Sequence, residues 1–405
     1  MPEKPQSPFS ARFFTSWLMA SIFAGIGIGI QHVTVPLYIR DRVDFETRAL
    51  AISGALIAQS LPGAFLALFG GALADRVEKR RILVRTFGLA AAVSVVYVLL
   101  LLSGTAIVWP VYPLAALVGA AGAFTNPARQ AQLPQIVGRE QLQNAVILGT
   151  MGYMATFQFV GPAVGGLVTD AVSLTAAFAL EVVLLLIAAA LFWRIPTGTP
   201  EPSERRILED LVAGLRYVKG HPQIRELLMI GGIPGFFFMG PFGVTVPLIV
   251  PDVLERSDRW VGFLWGAFGA GIFCGSILLT RIRVPYRGGA VICATISGGL
   301  MLTLYSRTTD VRLVLPVLFV WGLGAAVFIN FVVALLQELA EERMMGRTMS
   351  MYSLVFFVSG PLGYAQAGLL TDRYGPQHTL LLNGLTAIVC GVLALSILRN
   401  ARAVR

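Results

Sequence analysis

Apolar stretches as long as a membrane is thick recur from one end of this chain to the other. A helix crossing a bilayer needs roughly 20 apolar residues. Such runs lie at Phe13–Tyr38, Ala49–Gly70, Ile82–Leu102, Val108–Phe124, Leu142–Val168 and Val172–Trp193. After a polar stretch, Arg194–Glu226, they resume at Leu227–Val250, Trp260–Leu279, Ala290–Tyr305, Leu313–Leu336, Met349–Leu370 and Thr379–Leu398. The runs are continuous and not alternating, which favours helices over a barrel, the other fold that satisfies its backbone inside lipid. The predicted class is an all-α membrane protein with twelve transmembrane helices, six plus six. With 56% hydrophobic and only 13% charged residues among 405, the composition excludes a soluble enzyme on one anchor, a secreted disulfide scaffold and a disordered chain.

The formal net charge of +9 is spread over short basic punctuations between the runs. A nucleic-acid binder gathers its cations on one solvated face, so no nucleic-acid partner is expected. With a cytoplasmic N-terminus, 23 of the 31 Lys and Arg fall in cytoplasmic segments. That bias is the positive-inside pattern. It predicts an even number of spans with both termini cytoplasmic. The first run is too long for a signal-peptide core and is expected to be retained. Cys274, Cys293 and Cys390 all fall inside runs and read as small buried hydrophobes, not disulfide partners. The middle stretch opens on the linker composition Pro196–Pro202. Ile207, Leu208, Leu211, Leu215 and Val218 then recur at helical spacing. This predicts an amphipathic helix at the cytoplasmic interface, within a linker (194–226) that joins an N-terminal half (1–193) to a C-terminal half (227–405).

An internal duplication supports the two halves. Val33-Thr34-Val35-Pro36-Leu37 recurs as Val244-Thr245-Val246-Pro247-Leu248 at an offset of 211. Gly119 and Leu133 match Gly322 and Leu336 at 203, and Thr169-Asp170 matches Thr371-Asp372 at 202. At that last offset Glu181 falls opposite Asn383. Runs 1 and 7 enter the membrane from the same side, so the halves are parallel, a plan used by transporters in which one half rocks against the other.

Three groups of residues carry a family resemblance. Between runs 2 and 3 stands Gly71-Ala72-Leu73-Ala74-Asp75-Arg76-Val77-Glu78-Lys79-Arg80-Arg81, which resembles the G-x-L-A-D-R-x-G-R-[KR] loop of the major facilitator superfamily. Glu78 stands where that pattern has its second glycine. Run 5 carries Gly161-Pro162-Ala163-Val164-Gly165-Gly166, similar to the G-P-x-x-G-G signature of the superfamily's antiporters. Asn126-Pro127-Ala128-Arg129-Gln130-Ala131, Gly214–Val218 with His221-Pro222, and Gly346-Arg347 resemble the branch of enterobactin exporters and drug-efflux proteins. The resemblance implies alternating access, with Gly71, Asp75, Arg76 and Arg80 as a cytoplasmic gate whose arginines pair with carboxylates of the opposite half. It also implies that Gly161, Pro162, Gly165 and Gly166 set the bend and packing of helix 5. Many proton-coupled members carry an arginine in run 4 where this chain has Ala115, so a mechanism using that arginine does not transfer.

Ionisable groups inside a membrane are costly and functional by default. Glu181 lies nine residues into its run, near the midplane, where low dielectric favours the neutral acid. It is the leading candidate for proton coupling, and a structural carboxyl hydrogen-bonded to a neighbouring helix is the competing reading. His32 is the second proton-coupling candidate. Gln31, Phe157, Gln158, Phe237, Trp265, Asn330 and Phe356 are candidates to line a mainly apolar substrate cavity. No G-x-x-x-x-G-K-[ST] loop or H-E-x-x-H site occurs, so no cofactor or metal is expected and any driving energy should come from an ion gradient. The resulting expectation is a non-enzymatic, monomeric exporter of a small amphipathic or hydrophobic molecule of the drug or siderophore class, with protons and lipid as its other partners. Lysophospholipid flipping, facilitated uptake, and a non-transporting receptor or scaffold are the rivals.

Overall fold

The computed structural model describes residues 8–196 and 207–402; within these, the side chains of 67–76, 139–140, 207–212, 357 and 399 are not described. The described residues are almost entirely helical, with short connections. In order, the helices are α1 (Phe14–Arg40), α2 (Arg48–Arg76), α3 (Lys79–Leu102), α4 (Val111–Ile136), α5 (Arg139–Ala155), α6 (Gly161–Ala171) and α7 (Leu174–Trp193). Then follow α8 (Ile207–Gly220), α9 (Pro222–Gly231), α10 (Gly240–Asp252), α11 (Arg259–Leu279), α12 (Arg287–Arg307), α13 (Val311–Leu339), α14 (Met345–Tyr374), α15 (Pro376–Ile397) and the short α16 (Arg399–Arg402). Among the described residues ten helices are long and apolar enough to cross a membrane. The runs predicted at Val108–Phe124 and Leu142–Val168 are helical but are not among those ten.

Local chemistry fixes several boundaries. Ser173 Oγ accepts from the Ala176 amide at 3.0 Å and opens α7, and Asp310 accepts from the Arg312 amide at 2.9 Å and opens α13. Gly375, at φ 84°, ends α14, and Pro376 starts α15. Two boundaries differ from expectation. α4 continues twelve residues beyond Phe124, through Pro127 and Pro134. The seventh span begins at Pro222, not Leu227, because proline at the first helical position costs no hydrogen bond.

Two interruptions were not expected. A π-helical turn at Thr156–Val160 joins α5 to α6, and another at Gly235–Met239 precedes α10. Each borders a crossing of two glycines. A Cβ on Gly161 would meet Gly29 Cα at 2.7 Å, and one on Gly363 would meet the Phe236 carbonyl at 2.6 Å while Gly240 packs on Gly363 itself. Gly29 and Gly240 are 211 apart, and Gly161 and Gly363 are 202 apart, the offsets of the duplication. In one crossing the π turn lies on the helix of Gly161; in the other it lies on the helix of Gly240.

The chain alternates direction, so the bundle has a terminal end, where α1 begins and α15 finishes, and a far end. At the terminal end, among the described residues, one core draws only on residues 11–195 and a second only on residues 217–401. At the far end two cores combine both sets: Val33 and Leu37 join Phe242 and Leu264 in one, and Tyr38, Ala49 and Phe178 join Val244 and Ala367 in the other. The bundle is therefore joined through its far end.

Outside these cores, large apolar side chains such as Leu99, Val183, Leu186, Leu369 and Val392 lie exposed on the helices, as lipid contact requires. The cysteines belong partly to that belt. Cys274 and Cys293 are exposed and Cys390 is half-buried, all three free. This corrects the expectation that they are buried: apolar surroundings in a membrane protein include lipid. α8 forms where the amphipathic helix was predicted and packs along α14, with Gly214 beside Arg347 and Met351. Tyr217 and Val218 support the terminal-end core while Leu215 is exposed.

Candidate functional site

Glu181 sits in α7 and is fully buried where that helix packs on α1 and α3. Its Oε1 accepts from Gln31 Nε2 of α1 at 3.1 Å and from Ser94 Oγ of α3 at 2.6 Å. Gln31 and Glu181 therefore meet, although the sequence separates them by 150 positions. No ion pair involving Glu181 occurs among the described residues. Among the described residues its Oε2, Gln31 Oε1 and the Tyr97 hydroxyl lie buried without a hydrogen-bond partner. Buried polar atoms are nearly always satisfied, so three together mark a place where a proton, a water or a polar group of a solute is accommodated.

This cluster backs directly onto a cavity. Gln31, His32, Gln59 and Tyr97 supply its polar wall, and Val35, Leu56, Ala115 and Val118 supply its apolar one. His32 Nδ1 lies 3.2 Å from the Ile28 carbonyl of its own helix. Its ring stands edge-on to Phe157 at 4.8 Å and to Trp265 at 6.1 Å. Trp265 packs on Phe242 at 4.6 Å. His32, Phe157 and Trp265 thus converge from α1, the first π turn and α11, and Gln31 joins His32 in the cavity wall.

Of the remaining cavity candidates, Phe237 packs against the same core as Trp265. Gln158 Nε2 reaches only Met154 Sδ, at 3.6 Å. Asn330 is exposed and binds Ser276 Oγ at 3.0 Å. Phe237 contacts Phe236, and Phe356 lies 6.4 Å from Tyr352. Opposite Glu181 in the duplication, Asn383 is also buried and accepts from Gln366 at 2.8 Å.

At the terminal end, Gly71 lies on the helical backbone of α2, and the side chains of Asp75 and Arg76 fall outside the described residues. Arg80 is described. It pairs with Glu78 at 2.6 Å and lies 5.3 Å over the Trp193 ring. Arg81 shares the same carboxylate at 2.7 Å. Among the described residues Arg80 and Arg81 therefore both pair with Glu78, a neighbour in the same loop. In the helix-5 motif, Gly161 packs on Gly29, Gly165 on Ile30 and Gly166 on Gly262 of α11. The last contact joins the first helices to the later ones through bare backbone.

Ser94 and Tyr97 complete the carboxylate cluster and were not singled out from sequence. Their signal was available: two polar residues three apart in an otherwise apolar helix share a face.

The chain matches the family described as transmembrane secretion effector over residues 3–404. It is 26% identical to macrolide efflux protein A of Streptococcus pyogenes over 393 residues, covering 94% of each chain. It is 28% identical to multidrug efflux pump Tap of Mycolicibacterium fortuitum over 404 residues, covering 93% of each. Against enterobactin exporter EntS of Escherichia coli the identity is 24% over 395 residues, covering 97% of this chain and 93% of the other. In fold, it superposes on the nucleoside transporter NupG with a TM-score of 0.77 at 11% identity, covering 95% of this chain and 99% of that one. The human organic anion transporter MFSD10 gives 0.67 at 13% identity, covering 95% of this chain and 99% of that one. With whole-length relatives that are efflux proteins and a fold shared with solved transporters, the chain belongs to the transmembrane secretion effector family of the major facilitator superfamily, and is an integral membrane transporter, not an enzyme.

Proposed function

We propose that this protein is a proton-coupled exporter of small amphipathic or hydrophobic molecules of the drug or siderophore class. It works as a monomer of twelve spans in a bacterial inner membrane. Its parallel six-helix halves, residues 1–193 and 227–405, rock about a central site to expose it alternately to either face. The observation that carries this reading is Glu181, a fully buried carboxyl whose Gln31 partner forms the cavity wall. A proton on the free Oε2 makes the group neutral when the cavity is sealed; its release leaves an anion that a buried site without a cation does not hold easily. Gln31 touches both the carboxyl and the cavity, so a solute that engages its amide alters the hydrogen bonding of the group that carries the proton.

The names of the relatives support outward movement and the solute class, since they export a macrolide, several drugs or enterobactin. The bias of Lys and Arg supports cytoplasmic termini. On that orientation the shared far-end cores close the outer side, and the solute enters from the cytoplasm. Gly71, Asp75, Arg76 and Arg80 then form the gate at the entry side, and the glycines of helix 5 form a close-packed pivot.

The test is transport into liposomes under an imposed pH gradient. Glu181→Gln keeps the hydrogen-bonding shape and removes the proton site. It is expected to lower gradient-driven transport by about a hundredfold, the lower range for loss of a general acid or base, while exchange of solute without a gradient continues. Unchanged gradient-driven transport by the variant removes Glu181 from coupling. Wild-type transport that ignores the gradient assigns the protein to facilitated movement instead.

A further inference from the structure

We propose that Asp170 and Asp372, related by the duplication, are positioning residues that hold the far end shut, Asp372 seated on the first-turn amides of α2 and Asp170 paired with the first side chain of α11, each across to the opposite half. The proposal rests on the alternating-access reading above.

Asp372, in the last turn of α14, accepts from the Ala49 amide at 3.0 Å through Oδ1 and from the Leu50 amide at 2.9 Å through Oδ2. These amides belong to the first turn of α2, whose N–H groups have no acceptor within their own helix. The helix dipole also favours an anion there. Asp170, in the last turn of α6, faces Arg259, the first residue of α11, at 3.4 Å. The two acids are 202 residues apart, the offset of the duplication. The same offset relates the small residues one helical turn before them. Gly166 packs on Gly262 of α11, and Gly368 packs on Ser53 of α2 and lies against the Ala49 carbonyl. Sequence repeat and spatial contact therefore coincide twice, on both sides of the bundle.

Each contact crosses between the halves, as do two further ion pairs at this end: Arg40 with Asp258, bonded through both guanidinium nitrogens at 2.7 and 3.1 Å, and Arg48 with Asp252 at 2.8 Å. Among these contacts Asp372 is the one whose carboxylate accepts from helix-start amides, while Asp170 is its duplicate at the start of α11, held through the Arg259 side chain. A carboxylate bridging two amides depends on distance and direction together. It releases within a small separation of the helices, whereas long arginine side chains follow a moving partner. Opening the far end therefore requires Asp372 to surrender both amides to water.

The test uses a chain in which Cys274, Cys293 and Cys390 are replaced by serine. Spin labels at Glu46 and Thr309 report the far end, and labels at Arg194 and Glu342 report the terminal end. Distances are measured by double electron–electron resonance in lipid nanodiscs. Asp372→Asn offers one acceptor and turns a donor toward a donor. It is expected to raise the ratio of far-end-open to far-end-closed molecules about tenfold, the scale of losing a helix-capping carboxylate. Asp170→Asn, which loses one partly exposed ion pair, is expected to raise it about threefold. Far-end distances unchanged in both variants, with wild-type melting behaviour, overturn the latch. If either variant misfolds, the other decides. Should the two ends of the wild-type protein fail to change in opposition, alternating access itself falls, and the latch with it.

Discussion

Replacing Gly240 with leucine is expected to abolish the folded transporter. A Cβ at this position points into the backbone of Gly363, and one at Gly363 would lie 2.6 Å from the carbonyls of Gly235 and Phe236. Overpacking against side chains costs about 1–3 kcal/mol because rotamers move aside. Here the obstacle is main chain of a neighbouring span, so α10 and α14 must separate along their length. The expected result in detergent is loss of the monodisperse peak on size exclusion. The milder Gly240→Ala is expected to melt well below wild type. Gly122→Ala supplies the contrast. Nothing lies within 4 Å of its added carbon, and alanine is the better helix former by about 1 kcal/mol, so stability is unchanged or raised. Similar melting of the two alanine variants would show that the crossing is not tight.

The second large effect is expected at Arg129. Its side chain is buried at the terminal end of α4, with the guanidinium 4.1 Å from the Tyr153 ring of α5 and 5.6 Å from the Trp17 ring of α1. Nη2 reaches Asn126 Oδ1 at 3.4 Å. One planar cation thus ties three helices together by stacking. Arg129→Ala removes that plane and leaves a hole among large residues, with an expected loss of about 3 kcal/mol or more. Arg129→Lys is expected to recover only a small part, because a compact ammonium neither stacks nor spans two rings. Thermal unfolding of the purified protein checks both; a lysine variant melting like wild type would assign Arg129 a charge role alone.

Most of the fold was legible because lipid imposes a simple rule: every backbone group must be paired within its own segment, so long apolar runs become helices. The π turns were not legible. Thr156–Val160 and Gly235–Met239 are aromatic-rich and read as ordinary helix; only their position before a Gly-Pro pair hinted at an interruption. The exposure of Cys274 and Cys293 was misread because hydropathy cannot distinguish a neighbouring helix from lipid. Glu181 was found from its depth alone, but its partners were not, since Gln31 and Ser94 arrive from α1 and α3 by packing that no local pattern encodes. Arg129 lay in a run quoted only for resemblance, and its burial between two rings is a tertiary fact. The repeated Thr-Asp pairs were visible at the sequence level. Their meaning required seeing which helix starts they face.

The far-end ion pairs also bear on how the chain is made. Arg40 and Asp258 are 218 residues apart, and Arg48 and Asp252 are 204 apart. During synthesis the two arginines reach the membrane long before their carboxylates exist. Until then Arg40 has only its neighbour Asp41, and Arg48 lacks the carboxylate it pairs with in the folded protein. These long-range ion pairs at the far end can therefore form only once α10 and the start of α11 are in place, so the last charge pairing there comes late in synthesis.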